Sequence, residues 1–518
     1  MSNRDSGMIE TCISDETKKV FGGVACEHPL DKDVLNSLTE LNTLIKGHNE
    51  YAIYRHSTET DALWRLLLEK AIKCLRYHDD REPFMENNAK RPQVYGVSEL
   101  VEYYNKYIEF ESMLYGSSQY YRDHVVHVLR TWLLGTTCLV RNNGKYLGFV
   151  SIQGEDDIIL EYDEKLSIWT IIALTHDLGY PLEKAKGIID KTHSMIATFV
   201  TNPGVSMDLS FHGAQNYMND FIVRLMSSKM VHDSKRADTD KPYVARLQPK
   251  YYFKFQKSLE KTKHGIISTL IIYKLLTYFL ESDYSINEDY GFSEKDRKQF
   301  YIRREILRAI ASHTCTDVYH LFMGSFAFFL IIADDMQEWG RKYISELYVP
   351  ATIDHTKSEV FFDIFEKKAD DKEIKPHQCT LSEEVEVKES DGWQAVAALL
   401  KRLRDQSLTY ITIFRDGQET RDRDFLFTRK YTITYGESSK VEFSMELAIT
   451  KDAPSSLTGN IVYSPDQARN SEFGEKFIKE LFEQTRAKID WETLDSNGNK
   501  NTDPGQWRNG TICISLTN

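Results

Sequence analysis

Six residues of this chain combine metal-ligating side chains with positions that should bury them: His127, His176, Asp177, His264, His313 and Asp334. His176-Asp177 closes the nearly apolar segment Ile168-Trp-Thr-Ile-Ile-Ala-Leu-Thr. An ionised aspartate there is stripped of water, which is costly unless a cation or strong donors compensate. Asp334 follows Phe326-Ala-Phe-Phe-Leu-Ile-Ile-Ala, with Leu330 and Ala327 one and two turns back on its own helical face. A carboxylate in that setting calls for a metal or an arginine. The arginine alternatives are Arg303, Arg304 and Arg341, and Asp335 is expected to turn to solvent.

The histidines arrive on separate segments. Ile306, Ala309, Ile310 and His313 repeat at three and four, so His313 shares the core-facing stripe of its helix. His264-Gly265 opens another apolar helix. His212, in Phe211-His-Gly-Ala, competes with His264 for the same role. His124 and His127 lie three apart on one helical face, and either can be the ligand. Imidazoles mixed with carboxylates suit one or two divalent transition ions (Mn, Fe, Ni, Co or Zn) better than Mg or Ca.

Helices must carry these groups. The periodicity predicts helices between Val34 and about Tyr115, over Tyr120–Leu139, Glu164–Thr175, Lys263–Leu280, Arg303–His313 and Phe322–Leu347. Residues 1–33 are polar and aperiodic, and read as loosely ordered. Asn143-Gly144 is a hairpin-type turn signal, and the polar run His232–Lys241 reads as an exposed connection. The stretch 351–392, dense in Lys, Glu and Asp, reads as a charged linker after a helical domain spanning 34–350. Beyond it, 393–518 carries a helix at Trp393–Arg404, period-two segments at Leu408–Phe414, Phe425–Tyr435, Val441–Leu447 and Ile461–Tyr463, a helix at Glu472–Ile489 and a polar tail. The expected class is therefore mainly α, a helical bundle with a small C-terminal α+β domain.

The chain has 518 residues, 41% hydrophobic and 28% charged, with a formal net charge of -13. That balance disfavours wholesale wrapping of nucleic acid and leaves a small anionic substrate as the better expectation. Seven scattered cysteines give neither a C-x-x-C pair nor a disulfide framework. With no signal peptide and no apolar run near ~20 residues, the expectation is a cytoplasmic protein without a membrane span. Self-association is compatible with all of this.

Taken in order, His127-Val-Leu-Arg-Thr, Ala173-Leu-Thr-His-Asp-Leu-Gly, Lys263-His-Gly-Ile-Ile-Ser-Thr-Leu, Ala309-Ile-Ala-Ser-His and Ala333-Asp-Asp-Met-Gln-Glu-Trp-Gly-Arg resemble the HD superfamily of metal-dependent phosphohydrolases. The resemblance spans about Tyr120 to Arg341 (core 120–341). It implies a helical HD bundle in which His127, His176, Asp177 and Asp334 hold one ion. As in the two-metal subgroup, Asp177 would bridge to a second ion held by His264 and His313. It also implies hydrolysis of a phosphoester with Asp177 at the reacting centre, which leaves His124 to serve as general acid to the leaving oxygen; the acidic net charge, rather than the resemblance, favours a small nucleotide as substrate. The chain departs from the pattern at Tyr180-Pro181, where many members place a lysine after the His-Asp-x-Gly, so Lys184 is expected to take over the phosphate contact. The substrate does not carry over. Other functions built on this frame are a non-catalytic nucleotide-sensing module and a di-iron oxygenase.

Overall fold

The computed structural model describes residues 3–15, 28–78, 97–117, 122–141, 160–198, 214–280, 290–315, 325–341, 353–363, 377–387, 425–435, 439–449, 456–463 and 510–516, with a few single positions besides. The chain divides into two compact units. One comprises Met1–Val318, Met323–Asp334 and Gly340–Leu347; the other Tyr319–Phe322, Asp335–Trp339 and Tyr348–Asn518.

The first unit is helical: α1 (Arg4–Cys12), α2 (Lys32–Ile45), α3 (Ser57–His78), α4 (Val97–Ser117), α5 (Val125–Arg141), α6 (Tyr162–Thr175), α7 (Tyr180–Ala197), α8 (Ala214–Ser227), α9 (Pro249–Glu260), α10 (His264–Leu275), α11 (Thr277–Leu280), α12 (Glu294–Ser312) and, as far as Asp334, α13 (Phe326–Met336). Helices stand where the sequence predicts them between Val34 and Tyr115, over Glu164–Thr175 and Arg303–His313, and at Phe326–Met336 within Phe322–Leu347. The helix expected from Tyr120 starts at Val125, the one over Lys263–Leu280 breaks at Leu276, and α7, α8 and α9 are additions to the expected set. Among the described residues, no helix is long and apolar enough to cross a membrane.

At the centre lies α6, every residue of which from Asp163 to Thr175 is buried. Beyond its charged first turn (Asp163, Glu164, Lys165) it is apolar on every face but for small hydroxyl residues, as an enclosed helix should be. Its start is fixed by a capping box between Glu161 and Glu164. Its flanks are fixed by indoles: Trp64 Nε1–H donates to the Leu174 carbonyl, and Trp132 Nε1–H to Thr170 Oγ1. Helix α6 ends at Thr175, and Pro181 in the first turn of α7 restarts the chain in a new helix. The His176-Asp177 pair therefore occupies the bend between two helices. Residues 233–242 link a short antiparallel hairpin, β1 (Ser228–His232) with β2 (Tyr243–Leu247), and are mostly exposed.

Two expectations need correction in this unit and the next. Residues 1–33 are not loose throughout, because α1 is a capped helix packed in the core. Its polar residues hide that fact from a periodicity reading: each buried one has a partner. Asp5 receives Arg130 Nε and Nη2 at 3.0 and 2.8 Å, and Ser6 Oγ donates to Asn42 Oδ1 at 2.6 Å. The approach of Arg130 also explains Gly340, whose φ is +68° and whose Cβ would stand 2.4 Å from Arg130 Nη1.

The stretch 351–392 is not simply a linker either. It contains β3 (Ile353–Asp363) and β4 (His377–Val387), which open a six-stranded sheet completed by β5 (Phe425–Tyr435), β6 (Ser439–Ile449), β7 (Ser456–Tyr463) and β8 (Gly510–Leu516). The strands lie in sequence order, and only β4 and β5 run parallel. On β4 the charges alternate with the core: Cys379, Leu381, Val385 and Val387 are buried while Glu384 and Glu386 are exposed. Glu383 breaks the rule, buried against His355 at 2.6 Å and Arg429 at 3.3 Å. Strand β8 likewise lies in what reads as a polar tail. The turn at Asn143-Gly144, the helices at 393–404 and 472–489 and the strand at 408–414 fall outside the described residues.

Candidate metal centre

Five elements of the helical unit converge on one point. Helix α5 supplies His127 from its first turn, whose start is set by Asp123 accepting from the Val126 and His127 amides at 3.2 and 3.1 Å. The bend after α6 supplies His176 and Asp177. His264 is the first residue of α10, His313 caps the C-terminus of α12, and Asp334 sits in the last turn of α13.

All six residues are brought together, in two halves around Asp177. In the first, His127 Nε2 lies 2.8 Å from Asp334 Oδ1 and 3.9 Å from Asp177 Oδ2; His176 Nε2 lies 3.5 Å from Asp177 Oδ2 and 3.8 Å from Asp334 Oδ1. In the second, Asp177 Oδ1 is 3.3 Å from His264 Nε2 and 3.6 Å from His313 Nε2, and those two nitrogens are 3.2 Å apart. Donors around one ion at ~2.0–2.2 Å stand roughly 3–4 Å from each other, so both sets fit an ion. The sets His127–His176–Asp177 and Asp177–His264–His313 are each placed to hold one, and a third, His176–His313–Asp334, joins the halves.

The imidazoles are prepared as ligands. His176 Nδ1–H donates to the Ala173 carbonyl at 2.9 Å and His313 Nδ1–H to the Ile310 carbonyl at 2.6 Å. His264 Nδ1–H donates to Glu183 Oε2 at 2.7 Å. With Nδ1 engaged as donor, the neutral ring offers its lone pair at Nε2. His176 Nε2 makes no hydrogen bond although it is buried. A buried polar atom without a partner demands an explanation, and a cation between it and the two carboxylates supplies one.

Electrostatics agree. Burial pushes Asp177 and Asp334 up, yet the surrounding histidines hold both carboxyls well below the ordinary range. Burial lowers His264, but Asp177 and Glu183 override it and raise the ring to about 9. Burial lowers His127 and His313, which keeps them neutral.

Of His124, just before α5, and His127, in its first turn, His127 belongs to the donor sets. His124 stacks on the Tyr180 ring, centroids 3.8 Å apart, and burial holds it well below its ordinary range. A neutral ring beside the centre is suited to donating a hydrogen bond rather than carrying a charged proton. Lys184 Nζ stands over Tyr180, 4.7 Å from the ring centroid, at the rim. His212 lies outside the described residues. None of Arg303, Arg304 and Arg341 is needed for Asp334: Arg303 and Arg304 bind Gln299 and Glu305, and Arg341 Nε–H donates to the Asp123 carbonyl.

Sequence reasoning missed Glu183 and Ser268. An acid in the first turn of a helix reads as a partner of the helix dipole, and nothing local ties Glu183 to His264. Ser268 Oγ, one turn along α10, lies 2.6 Å from the His176 carbonyl and accepts from the Gly179 amide at 2.8 Å. Its only signal was its small size beside His264. Gly179 is required there, since a Cβ would sit 2.3 Å from the His264 carbonyl oxygen.

Compared with protein-family models, curated proteins and solved structures, the chain has no match.

Proposed function

We propose that this protein is a metal-dependent phosphohydrolase with an HD-type centre, cleaving a phosphoester of a small phosphorylated substrate such as a nucleotide. The observation that carries this reading is the division of Asp177, whose Oδ2 faces His127 and His176 while Oδ1 faces His264 and His313. A carboxylate shared in this way suits a pair of divalent transition ions (Mn, Fe, Ni, Co or Zn). Bound there, such ions would polarise a phosphoryl oxygen and lower the pKa of water toward ~7.

The chain's own residues do the rest. Asp334 and His264 are the more open members, with side-chain exposures of 28% and 18% against 0% for His127 and His176, so substrate approaches from their side. Lys184, drawn over Tyr180, meets the phosphate at the rim. His124 donates a hydrogen bond to the leaving oxygen. The buried walls of α5, α6 and α12 exclude bulk water, which strengthens each of these contacts.

The test is a metal-reconstituted preparation offered nucleoside phosphates, cyclic nucleotides and a generic phosphodiester. Release of phosphate or a monophosphate, abolished by chelator, is expected. A protein that holds its ions and turns over no phosphoester would overturn the reading.

A further inference from the structure

We propose that Glu183 is the positioning residue of the second ion site, and that occupancy of the His264–His313 half depends on its carboxylate. The inference rests on the two-ion reading above.

Glu183 stands in the first turn of α7, and its Oε2 accepts two bonds from one residue: the His264 amide and His264 Nδ1–H, both at 2.7 Å. Oε1 faces Lys263 Nζ at 3.6 Å. The amide bond satisfies a donor that the start of α10 leaves without a helical partner. The ring bond fixes the tautomer and the rotation of the imidazole, leaving Nε2 3.3 Å from Asp177 Oδ1. An anionic acceptor at Nδ1 also makes Nε2 a stronger donor, the effect that carboxylates behind metal-bound histidines exert.

Two other rings of the centre are turned differently. His176 and His313 are turned by backbone carbonyls of their own helices. Nor is Glu183 what holds α10 against the bend after α6. That join is made by Ser268 with the His176 carbonyl and the Gly179 amide, and by the close seat of Gly179 on the His264 carbonyl. Loss of the carboxylate therefore frees the ring and leaves the helices in place.

The experiment is equilibrium dialysis of the chelator-stripped full chain against Co2+, with metal analysis and the cobalt absorption spectrum, for wild type, Glu183→Gln and Glu183→Ala. Apo-protein melting temperatures check that the fold is kept. Wild type should take two ions. Both variants should take the first with unchanged affinity and the second about 10–100-fold more weakly, with the second-equivalent spectrum altered. A second ion bound by Glu183→Gln with wild-type affinity and spectrum would overturn the proposal, as would a wild type that takes only one. Loss of the second ion in a protein that hydrolyses no phosphoester supports this inference while removing the hydrolase reading.

Discussion

The two halves of the centre share Asp177 and are anchored differently. The half of His127, His176 and Asp334 would bring two carboxylates, Asp177 and Asp334, to one ion, and rests on core helices whose orientation comes from backbone carbonyls, buried indoles and the Arg130–Asp5 pair. The half of His264 and His313 has Asp177 as its only carboxylate ligand, and one of its rings is steered by a side chain, Glu183, 81 residues away. Charge and rigidity both favour the first half. It should fill first and bind tightest, with the second the adjustable partner.

Changes at the centre sharpen that contrast, beginning with the largest. Asp177→Ala removes the ligand common to both halves, and activity should fall by more than the roughly 10²–10³-fold that loss of one preorganised group costs; steady-state kinetics at saturating metal measure it. Asp334→Ala should lose the tight ion and His264→Ala only the weak one, so titrations of the two variants should leave opposite sites filled. Equal effects on both ions would erase the distinction between the halves.

Next in size is the support of the first half. Arg130 lies one turn beyond His127, and its partner Asp5 is fully buried with it. Asp5→Ala removes the buried carboxylate partner of that guanidinium, leaving the Glu50 carbonyl and the Tyr54 ring beside it, and should cost about 3–5 kcal/mol in denaturant unfolding. A change under about 1 kcal/mol would mean that α1 does not brace α5.

The smallest effect is in pH. In chelated protein His264 is raised from 6.5 to about 9, so its proton stabilises the fold fully below 6.5 and that contribution is lost as pH rises toward 9. His176 is raised too and acts in the same sense. His124, His127 and His313 are lowered, so their contributions change only below 6.5. The metal-free melting temperature should therefore fall between pH 6.5 and 9. Saturating metal should abolish the fall, because the ion takes the place of the proton. A flat metal-free profile would remove His264 from the account.

The six clustered residues were legible because they sit in strong local patterns. His313 follows Ile306, Ala309 and Ile310 on one stripe, and Asp334 closes an apolar run too long to be exposed. What escaped reading depends on partners remote in sequence. Asp5 meets Arg130 across 125 residues, and its burial turns a polar segment into a packed helix. Strands β3 and β4 were hidden by their charge: lysines and glutamates on the outward positions masked the buried alternation of Cys379, Leu381, Val385 and Val387. The choice of His127 over His124 needed the ring positions themselves, since a spacing of three puts both on one face of the helix expected from Tyr120, whereas the helix begins only at Val125.

The central claim is that two ions flank one carboxylate. Crystals of the full chain grown with Mn2+ and measured at the manganese edge test it directly. Two anomalous peaks ~3.5–4 Å apart are expected, one among His127, His176 and Asp334, the other between His264 and His313, with Asp177 touching both. A single peak, or peaks that leave Asp177 uncoordinated, would contradict it.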